Sequence, residues 1–382
     1  MEKIMHKYQK CSGCEKTYPL DKHILHCACG AMLEICYEPV KPLNLKNWID
    51  KSLKGVWRYW HLLPLVKKEN IIYCHEGLTP LYKSKYFVKR HNYKNVWLKD
   101  ETKNPTKTFK DRESGVSISR FKELGINKIA VCSTGNTATA FSNSVLKSKE
   151  MVLKLLIPKD CRERITFKKS ERIKIVYYDG NYHEALKASN GDFLLPDFIP
   201  EGGFANPGRI EGVKTLAFEV AEEGLAPDYF LQTIGSGVGP YAVCKGFKEL
   251  MKIGFADKMP KFICIQPEKC APMVNAYRAG ASKLTENFFV ENPHTVVTTV
   301  ANGKPAFSYP YLRKIVKETG GDFISVSEKE IIQAQNDFCQ EEGVNIEPAA
   351  ACTIAGLEKL IKLNNISGDI LVNLSGAPRG TK

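Results

Sequence analysis

Short apolar runs alternate with longer stretches of helical periodicity over most of the chain. The apolar runs have the length and β-branched content of buried strands, and turns separate them from the helical stretches. The predicted strands are residues 96–99, 128–132, 151–157, 173–178, 228–234, 262–266 and 369–374. The predicted helices begin after Asp111 and at Ala138, and cover residues 161–170, 183–189, 216–223, 241–251 and 349–360. Alternation at this spacing predicts an α/β protein with parallel sheets.

The N-terminal part of the chain follows neither pattern. Residues 1–40 are rich in cysteine, and residues 41–75 contain the aromatic stretch GVWRYWHLL. That stretch is interpreted either as a helix that caps the main domain or, preferably, as part of a hydrophobic core. At 382 residues and 43% hydrophobic, the chain has enough apolar material for two domains and a small appendage.

The formal net charge of +13 makes a basic nucleic-acid-binding protein an alternative to an enzyme. Lysine and arginine are, however, mixed with acidic residues throughout, without a basic module laced with aromatic residues. Anionic small molecules explain the excess charge equally well, so nucleic acid is the less favoured partner. The N-terminus lacks the apolar core of a signal peptide, and no apolar run is long enough to span a bilayer. We therefore expect a cytoplasmic protein with no membrane partner.

A single lysine, Lys110, lies where a turn becomes a helix. The extended residues 96–99 lead toward Pro105, which disfavours helix, and helical periodicity follows Lys110. The positive end of the helix dipole and the nearby cations Lys107 and Arg112 disfavour a protonated amine at this position, as a Schiff-base lysine requires. An ordinary solvated basic turn is the alternative interpretation.

Two turns offer backbone N–H groups at a helix N-terminus, where anions bind. Residues 133–137 (Ser-Thr-Gly-Asn-Thr) suit an amino-acid carboxylate, with an ordinary N-cap as the alternative. Residues 235–239 (Gly-Ser-Gly-Val-Gly) allow successive N–H groups to converge on an anion. This second turn lacks the lysine of a P-loop and lies too late in the chain for the first turn of a dinucleotide-binding fold, so both of those interpretations are disfavoured.

The thirteen cysteines predict reduced thiols rather than a disulfide framework, because no secretion signal accompanies them. Four of them form two short pairs bridged by a hairpin, an arrangement that can hold one structural zinc ion. These four are Cys11, Cys14, Cys27 and Cys29. Cys36 and His26 are alternative ligands, and a relict ribbon without metal is the alternative to a zinc site.

Together, these motifs resemble those of the threonine synthase branch of the fold-type II pyridoxal phosphate (PLP) enzymes. Residues 104–112, NPTKTFKDR, resemble the cofactor-lysine motif of that branch, and residues 206–215, NPGRIEGVKT, resemble its NPxRxEGxKT segment. The N-terminal cysteines resemble the ribbon that many of these enzymes carry. The resemblance covers essentially the whole chain. It implies two parallel-sheet α/β domains with a zinc-ribbon-like appendage, and assembly as a homodimer.

The resemblance also implies the domain limits: a ribbon at residues 1–40, a small substrate-binding domain at 113–200, and a large PLP-binding domain formed by 41–112 and 201–382. Lys110 is expected to bind PLP and to remove the Cα proton of the substrate. Cofactor contacts are implied for Asn136, Gly235, Ser236, Gly237, Val238, Gly239 and Ser375. Substrate contacts are implied for Ser133, Thr134, Gly135, Thr137, Lys107 and Arg209.

Three of these implied roles are specific. The turn at residues 235–239 is expected to hold the phosphate of PLP, and Ser375 is expected to face the pyridine nitrogen. A hydroxyl at that nitrogen favours elimination and replacement over transamination. Arg209 is expected to bind a substrate phosphate with two parallel hydrogen bonds, which a lysine could not match.

Two departures from the family pattern bear on the substrate. Lys107 stands where a small residue is usual, and Gly203-Phe204 stands where phosphohomoserine enzymes place an Asn-Ser pair for the phosphate. Three segments look more like those of the sister enzyme cysteate synthase: residues 235–239, 270–273 and 302–305. The segment NPGRIEGVKT, by contrast, looks like that of threonine synthase. We therefore expect O-phosphoserine and the nucleophile sulfite to give cysteate. The alternative is the threonine synthase reaction, in which water is the nucleophile and O-phosphohomoserine the substrate.

Overall fold

The computed structural model describes residues 5–40, 48–189 and 197–379. Its strands are β1 (Met5–Cys11), β2 (Thr17–Tyr18), β3 (Leu33–Pro39), β4 (Leu81–Lys83), β5 (Val96–Asp100), β6 (Lys128–Cys132), β7 (Val152–Pro158), β8 (Ile173–Tyr178), β9 (Ile199–Pro200), β10 (Tyr229–Thr233), β11 (Lys261–Pro267), β12 (Asp322–Val326) and β13 (Ile370–Leu374). Its helices are α1 (Lys85–His91), α2 (Lys110–Glu123), α3 (Asn136–Lys147), α4 (Tyr182–Ser189), α5 (Pro207–Glu222), α6 (Val238–Lys252), α7 (Pro272–Arg278), α8 (Tyr309–Thr319), α9 (Glu328–Glu342) and α10 (Pro348–Lys362). Each of the predicted strands is therefore confirmed, with its ends shifted by at most about one residue.

The chain forms two compact units. The first consists of Met1–Leu78 and Lys110–Thr215, and the second of Thr79–Phe109 and Leu216–Lys382. Within the first unit, the segment that precedes position 78 contributes to the same core as α2. Ile72 and Cys74 belong to the same buried cluster as Ile118 of α2.

The second unit contains a six-stranded sheet of order β12-β11-β10-β13-β5-β4. Its neighbours are parallel except at the edge, where β4 runs antiparallel to β5. Every residue of the central strand β13 is buried, as expected of a parallel strand that is covered on both faces. Because β5, β13 and β10 are parallel neighbours, the loops that follow them leave the same edge of the sheet.

The first unit contains two sheets. One is four-stranded and parallel, with the order β8-β7-β6-β9, and α2 and α3 contribute to the core beside it. The other is the antiparallel ribbon sheet β2-β1-β3 near the N-terminus. β6 and β9 are parallel neighbours, so the turn at residues 133–137 and the chain after β9 leave the same edge of the four-stranded sheet.

Helix α5 begins earlier than its sequence suggested. The prediction placed the helix at residues 216–223, whereas it begins at Pro207. Proline is tolerated in the first helical turn, and the Asn206 side chain accepts a hydrogen bond from the N–H of Gly208 at 2.8 Å. A Cβ at Gly212 would lie 1.9 Å from the carbonyl oxygen of Arg112. Gly212 therefore allows α5 to lie directly against α2.

One other helix prediction is corrected, and the aromatic stretch is assigned to the core. The helix predicted at residues 161–170 is wrong: the chain forms a short 3-10 helix, Lys159–Arg164, and then becomes extended. Ile165 and Phe167 both pack on the core of the first unit, and a spacing of two residues fits an extended chain. The aromatic stretch is a kinked 3-10 helix, Gly55–Leu62, and the preferred interpretation as core is confirmed by its packing against Val116. Residues 41–47 lie outside the described residues.

No helix in the described parts of the chain combines the length and the apolar character that a membrane crossing requires.

Candidate active site

Lys110 is the first residue of α2, and its amine lies beside a fully buried carboxylate. Its Nζ is 2.6 Å from Oε1 of Glu113, whose side chain has no exposed surface. Burial lowers the pKa of Lys110, and Arg209 lowers it further, whereas Glu113 raises it. The expected direction of the pKa shift is therefore confirmed. Its main cause is burial, and the nearby cation that contributes is Arg209 rather than the predicted Lys107 and Arg112.

Arg209, near the start of α5, is also bonded to Glu113. Its Nη1 lies 3.2 Å from Oε2 of Glu113, so one carboxylate binds both Lys110 and Arg209. The other edge of the guanidinium, Nε and Nη2, donates to the two carboxylate oxygens of Glu201. Burial opposes the charge, but Glu201 and Glu113 outweigh it and raise the pKa of Arg209. We call Lys110, Glu113, Glu201 and Arg209 the Lys110 cluster.

The turn at residues 133–137 lies at the N-terminus of α3, as predicted. The Ser133 hydroxyl accepts hydrogen bonds from the N–H groups of Gly135 and Ala138, each at 3.1 Å. Ser133 and Asn136 are buried, whereas Thr134 and Thr137 are partly exposed. Ser133 therefore stabilises the turn, and a contact of this turn with a substrate carboxylate stays a prediction.

The glycine turn at residues 235–239 connects β10 to α6. Gly237 caps α6 with φ +85° and without a side-chain hydrogen bond. A Cβ at Gly237 would lie 2.1 Å from Leu312, and one at Gly239 would lie 2.3 Å from Gln232. A side chain at Gly237 would be strained by the positive φ, and one at Gly239 would have to displace the amide of Gln232, so both positions favour glycine. The turn presents backbone at a helix N-terminus. This arrangement fits the phosphate of PLP.

Ser375 follows β13 and supplies an unpartnered hydroxyl. The residue is 4% exposed, and its Oγ has no hydrogen-bond partner among the described residues. A buried hydroxyl without a partner is costly unless a ligand satisfies it. The site therefore fits a ring nitrogen, as the sequence predicted for PLP.

The segment before Lys110 is tied to the backbone around Ser375. The N–H of Phe109 donates to the carbonyl of Ser375 at 3.0 Å, and the N–H of Ala377 donates to the carbonyl of Lys107 at 2.9 Å. Lys107 is exposed, with φ +60°, a conformation that favours glycine. This backbone conformation explains why the family pattern has a small residue at the position of Lys107. The loops 101–109, 235–239 and 375–377, which follow β5, β10 and β13, are called the sheet edge.

The four predicted zinc ligands lie together in the ribbon. The Sγ atoms of Cys11, Cys14, Cys27 and Cys29 are all within 4.8 Å of one another. Cys11 and Cys29 are 3.4 Å apart, and Cys14 and Cys27 are 3.5 Å apart. Zinc–sulfur bonds of about 2.3 Å in a tetrahedron place sulfur atoms about 3.8 Å apart. The four thiols therefore fit a metal ion of this type.

Sequence reasoning missed two members of the Lys110 cluster. Glu113 carried a weak signal, since it lies three residues after Lys110 on a predicted helix and so faces the same side. Glu201 carried none, because seven residues, one of them a proline, separate it from Arg209.

Residues 72–376 match the family described as "Pyridoxal-phosphate dependent enzyme", and the chain belongs to this family. The threonine synthase of Methanocaldococcus jannaschii is 33% identical over 366 residues, which cover 94% of this chain and 89% of that protein. The cysteate synthase of Methanococcoides burtonii is 28% identical over 392 residues, which cover 97% of this chain and 89% of that protein.

Solved structures place the fold in the same class. The threonine synthase from Escherichia coli has a TM-score of 0.70 at 13% identity, and the match covers 98% of this chain and 89% of that one. Threonine deaminase isoform 2 from Solanum lycopersicum has a TM-score of 0.62 at 20% identity, and the match covers 79% of this chain and 80% of that one. The predicted fold-type II architecture, and with it the class of PLP-dependent enzymes, is confirmed.

Proposed function

We propose that this chain catalyses elimination and replacement at the side chain of an O-phosphorylated amino acid, with the threonine synthase reaction as the first candidate. O-phosphohomoserine and water would give threonine and phosphate. The observation that carries the proposal is the shared carboxylate of Glu113, which binds both the amine of Lys110 and the guanidinium of Arg209. A group suited to proton transfer and a group suited to a phosphate leaving group thus lie in one cluster.

Each residue has a defined task in this proposal. Lys110 takes and returns the proton at Cα of the substrate, and its lowered pKa favours the neutral amine that this requires. Arg209 binds the phosphate of the substrate, and the N–H groups of residues 133–137 bind its carboxylate. PLP, when bound, supplies an electron-accepting ring. Ser375 would hold the ring nitrogen, and residues 235–239 would hold the cofactor phosphate.

The identity of the relatives supports threonine synthase over cysteate synthase, 33% against 28%. This order reverses the expectation from the sequence motifs. One observation still favours the reaction of phosphoserine with sulfite as a second candidate. Phe204 is buried where phosphohomoserine enzymes are expected to present a polar pair, so this position offers no side-chain hydrogen bond to a phosphate.

A substrate panel tests the proposal. Purified protein with PLP is incubated with phosphohomoserine or phosphoserine, each with water, sulfite or sulfide, and the products are identified by mass spectrometry. We expect threonine from phosphohomoserine, and a strong loss of turnover in Arg209→Lys, which keeps the charge but not the paired hydrogen bonds. Cysteate formation alone would establish the second candidate. Release of phosphate from neither substrate would refute both.

We also propose that the four cysteines of the ribbon hold one structural zinc ion. The ribbon has a very small apolar core around Cys11, Cys27 and Leu33, so a metal would supply much of its stability. Metal analysis of protein purified without chelator should give one zinc per chain, and Cys14→Ser should lower the melting temperature more than it lowers turnover. Protein without zinc would contradict this proposal.

A further inference from the structure

The guanidinium of Arg209 already has an occupant. Glu201 binds Nε and Nη2 with both of its oxygens, and Glu113 binds Nη1 at 3.2 Å. Arg209 is 6% exposed, Glu201 3% and Glu113 0%. A phosphate that binds this arginine with two parallel hydrogen bonds through the Nε–Nη2 fork needs the donors that Glu201 now fills.

The Lys110 cluster carries no net positive charge. Arg209 contributes one positive charge and Lys110 a second only when its amine is protonated, whereas Glu113 and Glu201 contribute two negative charges. A phosphate dianion that approached Arg209 would therefore be repelled by a buried carboxylate at close range. Anion binding at the Nε–Nη2 fork of Arg209 requires that Glu201 give way.

Glu201 is followed by two glycines, whose backbone is less restricted than that of other residues. It follows β9 directly and precedes two glycines, Gly202 with φ +102° and Gly203 with φ +57°. Its carboxylate also accepts hydrogen bonds from the side-chain amide of Asn206 at 2.7 Å and from the N–H of Gly203 at 3.1 Å. These two donors can still hydrogen-bond the carboxylate of Glu201 after it leaves Arg209.

We propose that Glu201 is a specificity-determining residue that occupies the anion site of Arg209 until a substrate phosphate displaces it. A phosphate monoester carries nearly two charges at neutral pH and can outcompete a carboxylate, whereas a singly charged carboxylate group cannot. Glu201 thus selects phosphorylated side chains against carboxylated ones. This inference rests on the proposed function for the identity of the displacing group.

The test measures binding of inorganic phosphate and of acetate by calorimetry, with PLP-saturated protein so that the cofactor phosphate site is filled. Glu201→Gln should bind phosphate at least about tenfold more tightly than the wild type, because the competing charge is gone. It should also bind acetate, which the wild type should not. Adding Arg209→Gln to Glu201→Gln should abolish both gains.

Glu219→Gln is the matched control, since Glu219 is a buried carboxylate paired with Lys99 at 2.6 Å. This variant should bind phosphate like the wild type. If Glu201→Gln does not fold, Glu201→Asp shortens the side chain so that it can no longer span the fork, and it should show a smaller gain. A folded Glu201 variant with unchanged or weaker phosphate binding overturns the inference.

The outcome is separable from that of the substrate panel. Phosphate binding needs no turnover, so a gain that depends on Arg209 supports the role of Glu201 even if neither phosphorylated amino acid is converted. Conversely, conversion of phosphohomoserine with no gain in Glu201→Gln supports the proposed function and refutes this inference.

Discussion

The Lys110 cluster in the first unit and the sheet edge in the second unit differ in the chemical groups that they present. The cluster consists of four charged side chains, and its two carboxylates and its guanidinium are almost fully buried. At the sheet edge, the turns 235–239 and 375–377 contribute glycine backbone, such as that of Gly237 and Gly239, and one unpartnered hydroxyl, that of Ser375. Charge therefore controls the amine of Lys110, whereas space and backbone donors define the predicted cofactor anchor.

This contrast predicts which substitutions each region tolerates. Removing a charge in the Lys110 cluster should change protonation and anion binding, because buried charges interact strongly. Adding a methyl group at the sheet edge should weaken cofactor binding, because the backbone approaches its neighbours too closely to admit a Cβ. The following substitutions test the contrast, from the largest expected effect to the smallest.

Lys110→Ala should have the largest effect. Without its amine, the protein should lose covalent attachment of PLP and nearly all turnover, on the order of a thousandfold or more. Absorbance of the purified protein and the initial rate report the two losses. Lys103→Ala, which removes an exposed lysine a few residues away, should retain both PLP attachment and turnover. Full activity in Lys110→Ala would mean that another group does the chemistry.

Gly237→Ala should have the second-largest effect, a loss of PLP affinity. The added Cβ would lie 2.1 Å from the Leu312 side chain at φ +85°, so the turn or Leu312 must shift, and PLP affinity should fall by about tenfold or more. Titration of the apoprotein with PLP measures this. Gly254→Ala is the control: its φ is +71° but its Cβ would meet nothing within 4 Å, so it should cost only about 1 kcal/mol of stability. Equal PLP affinity in the two variants would contradict the role of the turn.

Glu113→Gln should shift the pH dependence of Lys110. Glu113 raises the pKa of Lys110, against burial and Arg209, which lower it, so its removal should lower that pKa further. The rate at which the apoprotein captures PLP should then reach its plateau at a lower pH than in the wild type. Glu123→Gln, at the other end of α2, should leave the profile in place. A shift toward higher pH would show that Glu113 does not hold the proton of Lys110.

Ser375→Ala should have the smallest effect on the protein itself. Its Oγ is buried without a partner in the described structure, so its removal should not lower the stability of the apoprotein, while PLP binds a few times more weakly. Ser308→Ala is the comparison, because the Ser308 hydroxyl donates to the carbonyl of Pro305 at 3.3 Å and its loss should cost about 1 kcal/mol. If Ser375→Ala is destabilised as much as Ser308→Ala, the hydroxyl has a structural task.

The sequence predicted the sheet edge better than the Lys110 cluster. Buried parallel strands are continuous apolar runs, and the turns that follow them are marked by glycine and serine, so β10, β13 and their loops were recognisable. The Lys110 cluster depends on pairings between distant positions, such as Glu201 with Arg209, which no local pattern encodes. The start of α5 was missed for a related reason: Gly208 and Gly212 suggest a loop until the adjacent helix α2 is known.

The most direct test is to identify the lysine that binds PLP. The holoprotein is reduced with borohydride, digested, and mapped by mass spectrometry for a pyridoxyl group. The structure predicts the modification on Lys110, whose amine is partly buried and has a lowered pKa, and not on the exposed Lys107. Modification of Lys107, or of no lysine in this segment, would contradict the assignment on which the proposed function depends.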